Sequence, residues 1–245
     1  MALHPGRAKI SNLILLSLPP AVRDEVVRQC ERVELAAGQV IYAAADAVQH
    51  AYFVDSGVIS LVKFMEDGRS AIVAGIGIEG LVGLFTTAHR ADRAFADHIV
   101  EVPTTAFRIP SGTLHHLTSK HEALNRAIVQ YLLLSAELLV QVSACNRLHL
   151  LEQRCCHWLL VAHDNAFADQ FHLTHEFLAA LLGVERSSVS ATAGALQRRG
   201  SISYSHGRVS VVDRAALEST ACECYRARRN LIAHAFETKV RRLAE

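Results

Sequence analysis

Two short runs of helical periodicity on either side of one glycine constrain the fold more than any other part of the chain. In residues 173–196, Thr174 can cap a first helix and Gly183 can supply the left-handed residue that ends it. The apolar residues of each run fall on one stripe: Phe177, Leu178, Leu181 and Leu182 in the first, and Val189, Ala193 and Leu196 in the second. This arrangement predicts two amphipathic helices joined by a tight turn, a helix-turn-helix.

A hairpin pattern follows the second helix directly. Residues 201–212 alternate polar and apolar side chains across the dipeptide His206-Gly207, and a two-residue turn ending in glycine typically joins two antiparallel strands. A hairpin at this place predicts a winged helix-turn-helix, in which the N-terminal end of the second helix meets base edges in the major groove of DNA. The alternative is a packed α+β fragment without a nucleic-acid partner.

Polar residues lie on the predicted outer face of the second helix and on the wing. The residues that point outward near the N-terminal end of the helix, where a base contact would be made, are Arg186, Ser187, Ser190 and Ala191. Candidates for phosphate contacts at the end of this helix and on the wing are Arg198, Arg199, His206 and Arg208. Ordinary surface charge is the alternative interpretation of each of these last four residues.

The length and the apolar runs restrict the class of protein. With 245 residues the chain is long enough for two domains with cores of their own. The apolar run at residues 13–18 is too short for a signal peptide, no membrane span is expected, and we predict a cytoplasmic protein. The chain has six cysteines, Cys30, Cys145, Cys155, Cys156, Cys222 and Cys224, and they lie mostly inside apolar or helical patterns, which in a reducing compartment favours buried thiols.

The charge distribution is uneven although the formal net charge is only +1. Residues 1–146 contain 12 Lys and Arg against 14 Asp and Glu, a balance of −2, and residues 147–245 contain 13 against 10, a balance of +3. The basic half coincides with the helix-turn-helix. Because this excess is small, we expect the attraction for phosphate to be concentrated on one face and to be doubled in a dimer.

Residues 32–110 form short alternating runs punctuated by glycine, with almost no helical period. This pattern favours many short strands and therefore a β-roll or barrel. We predict strands near residues 33–35, 40–42, 51–54, 58–63 and 70–74, with turns at 36–38 and 55–57 and an Asp-Gly hairpin at 66–69.

A long helical stretch follows the strands, and one apolar stripe on it repeats at spacings of four and three residues. Its members are Leu124, Ile128, Tyr131, Ser135, Leu138, Val142 and Cys145. Such spacing is typical of a coiled-coil seam, and a dimer fits a helix-turn-helix because two-fold symmetry lets the protein contact two half-sites. The alternative is that the chain buries this stripe against its own roll.

In this order, the β-roll, the long helix and the winged helix-turn-helix resemble the Crp/Fnr family of bacterial transcription regulators over nearly the whole chain. Residues 36–42, 54–59 and 173–196 carry the resemblance together with the long helix. It implies an α+β fold with three parts: a double-stranded, jelly-roll-like β-roll that senses a signal at residues 1–118, a dimerisation helix at 119–147, and a winged DNA-binding domain with a C-terminal helical extension at 148–245. It also implies a homodimer that binds a palindromic operator in double-stranded DNA, with RNA polymerase as a further partner.

The resemblance assigns roles to residues of the motif. It places Thr174 at the cap of the first helix, where the hydroxyl can also donate to a phosphate, and His175 at the exposed position that follows. The places of the family's main base-reading side chains are taken by Arg186, Ser187 and Ala191, with Ser188 and Ser190 beside them. Only Arg186 retains the family's residue type, and it can form a fork onto guanine O6 and N7. An arginine is unfavourable at the positive end of a helix dipole, which supports a DNA role over a merely solvated charge.

The roll departs from the cyclic-nucleotide-binding members of the family. The resemblance places the effector pocket at Glu79, Gly80, Leu81, Val82, Gly83, Arg90 and Arg93. Those members have a glycine followed by a glutamate that holds the ribose, and an arginine followed by serine or threonine that holds the cyclic phosphate. Here leucine follows Gly80, alanine follows Arg93, and Asp92 would weaken anion binding. We predict a degenerate pocket that binds neither cyclic AMP nor cyclic GMP, so that the effector is an unidentified small molecule or absent.

No metal or cofactor is predicted. Family members with an iron–sulfur centre carry a cysteine cluster near the N-terminus, whereas Cys30 is the only cysteine before Cys145. Some relatives bind haem, but the 14 histidines show no spacing that singles out an axial ligand. Cys222 and Cys224 have the wrong gap for a zinc knuckle and are expected on different faces of a helix opened by Asp213, as inert packing.

Two other classes of function are weighed against this one. An enzyme is disfavoured because the Gly-x-Gly-x-x-Gly segment at residues 75–80 is a turn of the predicted roll, no Gly-x-Ser-x-Gly segment occurs, and no catalytic residue is assigned. A signalling adaptor or ligand-sensing module that does not bind DNA, for example a haem or gas sensor on the same roll, is disfavoured by Gly183 and the wing. The basic extension at residues 224–237 either packs on the winged domain or reaches DNA.

Overall fold

The computed structural model describes residues 10–83 and 93–236, so two predictions about the effector pocket, at Arg90 and Asp92, lie outside the described residues. The described chain opens with two helices, α1 (Leu13–Ser17) and α2 (Pro20–Arg28). Asn12 caps α1 and is fully buried, and its side-chain amide donates to two backbone carbonyls of the roll. These hydrogen bonds fix α1 on the roll.

A six-stranded antiparallel sheet forms the roll that the sequence predicts. Its strands are β1 (Glu31–Leu35), β2 (Val40–Tyr42), β3 (His50–Phe64), β4 (Ser70–Ile76), β5 (Leu81–Val82) and β6 (Asp97–Pro110). The strand order is β1-β6-β3-β4, with β2 paired to β6 and β5 paired to β3. The two long strands, β3 and β6, carry the fully buried Phe53, Ile59 and Ile109 and form the centre of the roll.

The turn predicted at residues 55–57 is wrong, because β3 continues through it. The pairing of β3 with β6 shifts register between Val54 and Val58, so the strand bulges there. Gly57 has a φ of +82°, and a Cβ at this position would lie 2.4 Å from the Pro103 carbonyl oxygen. The glycine therefore permits a close approach of two strands, a role that a sequence pattern does not distinguish from a turn between strands.

Three helices follow the roll: α3 (Ser111–Lys120), α4 (Glu122–Leu148) and α5 (Leu151–Ala166). The stripe of α4 that the spacing predicts as a dimer seam faces the chain's own core. Its members Leu124, Ile128, Tyr131 and Cys145 are buried within one chain, and Ser135, Leu138 and Val142 are half-buried. The four buried members have no surface left for a second copy, so the alternative, packing within the chain, holds for them. The dimer role of the three half-buried members stays a prediction. The spacing identifies an apolar stripe but not the surface that covers it.

The outer face of α4 is also apolar, and it is exposed. Val129, Leu133 and Val140 are 47%, 64% and 71% exposed. Because both faces are apolar, α4 is long and apolar enough, by length and composition alone, to cross a membrane, with a mean hydropathy of 1.6 over an 18-residue window. A core helix of a soluble protein passes the same test, so this result does not contradict the expectation that the chain has no membrane span.

The C-terminal part has the predicted winged arrangement. Its strands and helices are β7 (Gln170–His172), α6 (His175–Leu182), α7 (Arg186–Arg198), β8 (Ile202–Ser205), β9 (Arg208–Val211), α8 (Arg214–Thr220) and α9 (Cys224–Ala235). The sheet order is β7-β9-β8. Asp213 caps α8, but this helix ends at Thr220, so Cys222 lies between α8 and α9 and Cys224 begins α9. The expectation that one helix carries both thiols is wrong.

One hydrophobic core joins the roll to the winged domain. Val58 and Ile72 of the roll belong to the same buried cluster as Trp158 of α5 and Leu182 of α6. A second cluster packs α1 and α4 against Phe236, which follows α9. Since buried side chains at native density transmit displacement, a change in the roll can reach the helix-turn-helix through α5.

Candidate nucleic-acid interface and effector pocket

The helix-turn-helix has the local structure that its sequence predicts. Thr174 Oγ1 accepts a hydrogen bond from the Phe177 N–H at 3.1 Å and so caps α6. Gly183 has a φ of +64° and ends the helix in the left-handed conformation. Val184 is half-buried and packs against the core behind the turn. These contacts orient α7 relative to α6.

The N-terminal half of α7 presents polar side chains to solvent. Its inner residues Val189, Ala193 and Leu196 are buried. On the other side, Arg186, Ser187, Ser190 and Ala191 are exposed and Ser188 is half-buried. The first backbone N–H groups of a helix have no partner within the helix and carry partial positive charge, so they attract phosphate. This end of α7 therefore combines an anion-attracting backbone with accessible side chains.

Arg186 is held at the start of α7 by an acidic residue of α6. Its Nη1 lies 2.9 Å from Glu176 Oε1, and the two side chains are 66% and 64% exposed. An exposed pair of this kind contributes little to stability, because water screens the attraction. Arg186 can therefore leave Glu176 for a base edge at small cost.

His175 is tied into the motif more closely than the predicted exposed position suggests. Its ring stacks on Tyr204 of the wing at a centroid distance of 4.1 Å, and Nδ1 lies 2.9 Å from Ser190 Oγ on α7. The residue is half-buried, and burial, followed by the nearby charge of Arg186, lowers its pKa. His175 and Ser190 thus connect α6, α7 and the wing, which sets the orientation of α7.

The wing has the predicted two-residue turn. His206 and Gly207 have φ values of +50° and +75°, the left-handed pair that suits a tight hairpin between twisted strands. His206 and Arg208 are exposed, and His206 Nδ1 lies 2.8 Å from Ser205 Oγ. Two cationic or polar side chains of the wing are therefore accessible beside α7.

The two arginines at the C-terminal end of α7 differ in their surroundings. Arg198 is exposed. Arg199 places its Nη1 2.5 Å from Glu152 Oε1 at the start of α5. Arg198 is therefore the better placed of the two for a phosphate, whereas Arg199 connects α7 to α5.

A cavity of about 130 Å³ lies between the roll, α4 and α5. Its walls are largely apolar and include Leu61, Ile76, Leu132 and Trp158. The predicted effector residues that line it are Glu79, Leu81, Val82 and Gly83. Gly80 packs beside Tyr131, where a Cβ would lie 2.8 Å from the phenol oxygen. Arg93 is not one of the described residues that line the cavity. Its Nη1 donates to the Ala45 carbonyl oxygen at 2.7 Å.

Glu79, the acidic residue of the predicted pocket, already has a cationic partner. Its Oε1 accepts from Arg228 Nη2 at 2.7 Å and from the Gly77 N–H at 3.1 Å. Both side chains are buried, Arg228 to 7% and Glu79 to 4% exposure. Arg228 lies on α9 and also lines the cavity, so the C-terminal extension supplies a cation there. The basic composition of the extension indicates that an arginine is available. Its partner Glu79 lies 149 positions earlier in the chain, so a local sequence pattern does not identify it.

Two protein families match parts of the chain. Residues 32–121 match the cyclic nucleotide-binding domain, and residues 153–220 match the Crp-like helix-turn-helix domain. The first match covers the roll with α3, and the second runs from α5 through the wing to α8. The matches lie on either side of α4, in the order that the sequence predicts.

Full-length similarities agree with these two matches. The nitrogen fixation regulation protein FixK of Bradyrhizobium diazoefficiens is 24% identical over 226 residues, which cover 86% of this chain and 90% of FixK. The structure of FixK2 from Bradyrhizobium japonicum superposes with a TM-score of 0.65 at 14% identity, covering 79% of this chain and 98% of that one. A CRP-family transcriptional regulator from Thermus thermophilus gives a TM-score of 0.64 at 21% identity, covering 77% and 96%. These structural similarities confirm the predicted α+β architecture.

Proposed function

The chain belongs to the Crp/Fnr family of transcription regulators, and on that premise we propose that it binds a palindromic DNA operator as a homodimer. The observation that supports this most is the exposed N-terminal end of α7, where Arg186 and Ser187 project beside the wing. Residues 1–118 act as the sensor, 119–147 dimerise and 148–245 bind DNA. Such a regulator performs no catalysis, works in the cytoplasm, and has RNA polymerase as a further partner.

Contacts with DNA divide into two kinds. Arg186 supplies the main base contact, because its guanidinium is accessible and can fork onto a guanine. Candidates for phosphate contacts, which position the protein without reading sequence, are Thr174, Arg198, His206 and Arg208. Ser187 and Ala191 are short side chains and discriminate weakly between bases. The operator therefore differs from one read by a regulator with three charged side chains at these positions.

We place the dimer seam on the outer face of α4. Val129, Leu133, Ala136 and Val140 are exposed at spacings of four, three and four residues, the spacing of a coiled-coil interface. A continuous apolar stripe of this kind is unfavourable in water. A second copy of the chain is its occupant, because a two-fold axis brings the same face of both helices together and gives the two recognition helices that a palindrome requires.

The cavity beside Glu79 is a degenerate effector site that does not bind cyclic nucleotides. A cyclic phosphate needs a cation that is free to pair with it, and Arg228 is already paired with Glu79. Leu81 stands where the family's ribose-binding carboxylate would be. The apolar walls suit an uncharged small molecule, so the effector is of that class or there is none.

Selection of binding sites from a random pool of DNA duplexes tests this function. We expect one enriched sequence with two-fold symmetry, bound by two copies of the chain. Arg186→Ala should weaken the enrichment, because it removes a base contact. Arg69→Ala is the matched control, because Arg69 is an exposed arginine of the roll that also has an acidic partner, Asp67, and it should bind like the wild type. A pool without enrichment would favour the alternative, a sensing module that does not bind DNA.

A further inference from the structure

Three thiols and one imidazole converge where the C-terminal end of α4 meets the segment between α8 and α9. Cys145 and His149 lie one helical turn apart at the end of α4, and Cys222 and Cys224 approach from the other side. All four potential ligand atoms lie within 4.8 Å of one another. Cys145 Sγ is 3.6 Å from Cys222 Sγ, and Cys224 Sγ is 3.4 Å from His149 Nδ1.

We propose that Cys145, His149, Cys222 and Cys224 bind one zinc ion. Around a tetrahedral zinc ion with Zn–S of about 2.3 Å and Zn–N of about 2.0–2.1 Å, two sulfurs lie about 3.8 Å apart and a sulfur and a nitrogen about 3.5 Å apart. The two measured separations are close to these values. A set of three cysteines and one histidine leaves no position open for substrate, so the site is structural rather than catalytic.

The side chains around the four ligands have the arrangement of an outer coordination shell. His149 Nε2 lies 3.1 Å from Glu223 Oε1, which orients the ring so that Nδ1 faces the sulfurs. Gln141 Nε2 donates to Cys224 Sγ at 3.0 Å, a bond that stabilises a thiolate. The buried His157 places Nδ1 4.0 Å from both Cys145 Sγ and Cys222 Sγ. Inert packing of thiols requires none of these polar contacts.

The chemistry of the four groups suits a zinc ion. The thiolate is the form of cysteine that binds a metal. Binding of Zn²⁺ forms three Zn–S bonds and one Zn–N bond, releases the thiol protons to water and transfers no electron. Because all four ligand atoms fit within 4.8 Å, they suit one ion rather than a wider iron–sulfur cluster.

The prediction that Cys222 and Cys224 are inert, packed thiols rests only on the spacing between these two residues. The two remaining ligands come from a helix more than 70 residues earlier, since Cys145 and Cys222 are 77 positions apart. A zinc ion at this place would join α4 to the segment that leads into α9. That helix carries Arg228, the partner of Glu79 in the cavity. The metal would thereby hold the C-terminal extension in position over the sensor.

Metal analysis of the full chain tests the proposal independently of DNA binding. Protein is reconstituted with Zn²⁺ under reducing conditions and then desalted. Inductively coupled plasma mass spectrometry should then find one zinc ion per chain. After removal of zinc, Co²⁺ should give the visible absorption of a tetrahedral cobalt–thiolate site. Cys224→Ser and His149→Ala should lose the stoichiometric metal, and Glu223→Gln, which changes only the outer shell, should bind about 10–100-fold more weakly.

Cys30→Ser is the control, because Cys30 follows α2 in a different part of the fold and is not one of the four ligands. It should retain one zinc ion per chain. Circular dichroism of each variant separates loss of metal from loss of fold. The proposal is overturned if the folded wild type retains no stoichiometric zinc or if the double variant of Cys224 and His149 retains it. A Cys145–Cys222 disulfide in protein alkylated without exposure to air would overturn it as well and would indicate a redox pair.

Discussion

Arg186 and Arg208 place positive charge in two different parts of the proposed DNA-binding surface, the start of α7 and the first residue of β9. We expect Arg186→Ala to lose about 1–3 kcal/mol of binding free energy on the operator and little on unrelated DNA, because it removes a base contact. Arg208→Ala should weaken both equally and reduce the salt slope by about one counterion. The measurement is binding of each variant to operator and scrambled duplexes over a salt series.

A matched variant separates the role of Arg186 from its contact with Glu176. Glu176→Gln keeps the shape of the partner and removes its charge, so Arg186 no longer has to leave an ion pair before it reaches DNA. Operator binding should be equal to or tighter than that of the wild type. Equal losses for Arg186→Ala on operator and scrambled DNA would contradict its assignment as the base-reading residue.

The buried pair of Arg228 and Glu79 links the C-terminal extension to the roll. Arg228→Met leaves an uncompensated carboxylate in the core and should lower the free energy of unfolding by about 3–5 kcal/mol. The double variant with Glu79→Gln removes both charges and should recover most of this loss. Denaturant unfolding of the two variants and the wild type measures the difference. A single variant as stable as the wild type would show that the ion pair is not retained in solution.

Glu101 on β6 makes stability depend on pH. Burial raises the pKa of this carboxyl from 4.5 to about 7. Between about pH 4.5 and 7, the Glu101 carboxyl therefore holds a proton in the folded chain that it has lost in the unfolded chain. The stability contributed by the protonated carboxyl is thus fully present below about pH 4.5 and is lost as the pH rises through about 7. Glu101→Gln should raise the melting temperature relative to the wild type at pH 8 and leave it nearly unchanged at pH 4.

Glu34→Gln is the control for this pH dependence, because Glu34 is exposed on the neighbouring strand β1. Its melting temperature should follow the wild type at both pH values. If Glu101→Gln changes stability equally at pH 4 and pH 8, the effect comes from packing and not from the ionisation of Glu101.

At the scale of elements, α4 has an inner face that holds the chain together and an outer face that is free to bind a second copy. Leu133→Glu places a charge on the outer face, where dimerisation would bury it without a partner, and should give folded monomers with at least about 10-fold weaker self-association. Sedimentation measures the mass, and circular dichroism measures the fold.

Leu138→Glu on the half-buried inner face should lower the stability of each chain.

Val212→Glu is the matched control for the dimer. Val212 is 64% exposed, the same fraction as Leu133, but it lies after the wing and outside α4. This variant should remain dimeric. Dimers of Leu133→Glu at the concentrations of the wild type would place the interface elsewhere.

At the scale of the whole molecule, the shared core makes the cavity and the helix-turn-helix parts of one packed unit. Trp158 lines the cavity and belongs to the cluster that contains Leu182 of α6. A ligand that moves Trp158 would therefore displace side chains that support α6 and α7. The geometry supplies a packed route from the cavity to α6 and α7.

Cyclic nucleotides should not use this route. Titration calorimetry of the full chain with cyclic AMP and with cyclic GMP should show no binding at micromolar concentration, because Leu81 cannot bind the ribose and Arg228 is occupied by Glu79. The double variant Arg228→Met with Glu79→Gln should not bind them either. Micromolar affinity in the wild type would show that other residues supply the contacts with ribose and phosphate.

The sequence by itself determined the features that depend on neighbours along the chain. The cap at Thr174, the left-handed Gly183 and the turn at His206-Gly207 are all where the local pattern predicts them. Each depends on contacts between residues a few positions apart, which spacing describes directly. The order of roll, helix and wing follows from the same local periods.

Only the tertiary structure decided which distant surfaces meet. It turned the predicted seam of α4 inward, paired Arg228 with Glu79 across 149 positions, and brought Cys145 and His149 to the Cys222-x-Cys224 segment. A helical period reports that a face is apolar or that a charge is present, but the partner is selected by how whole elements pack. That selection depends on the total buried surface and on how many buried polar groups find partners, and these are properties of the folded chain rather than of any segment.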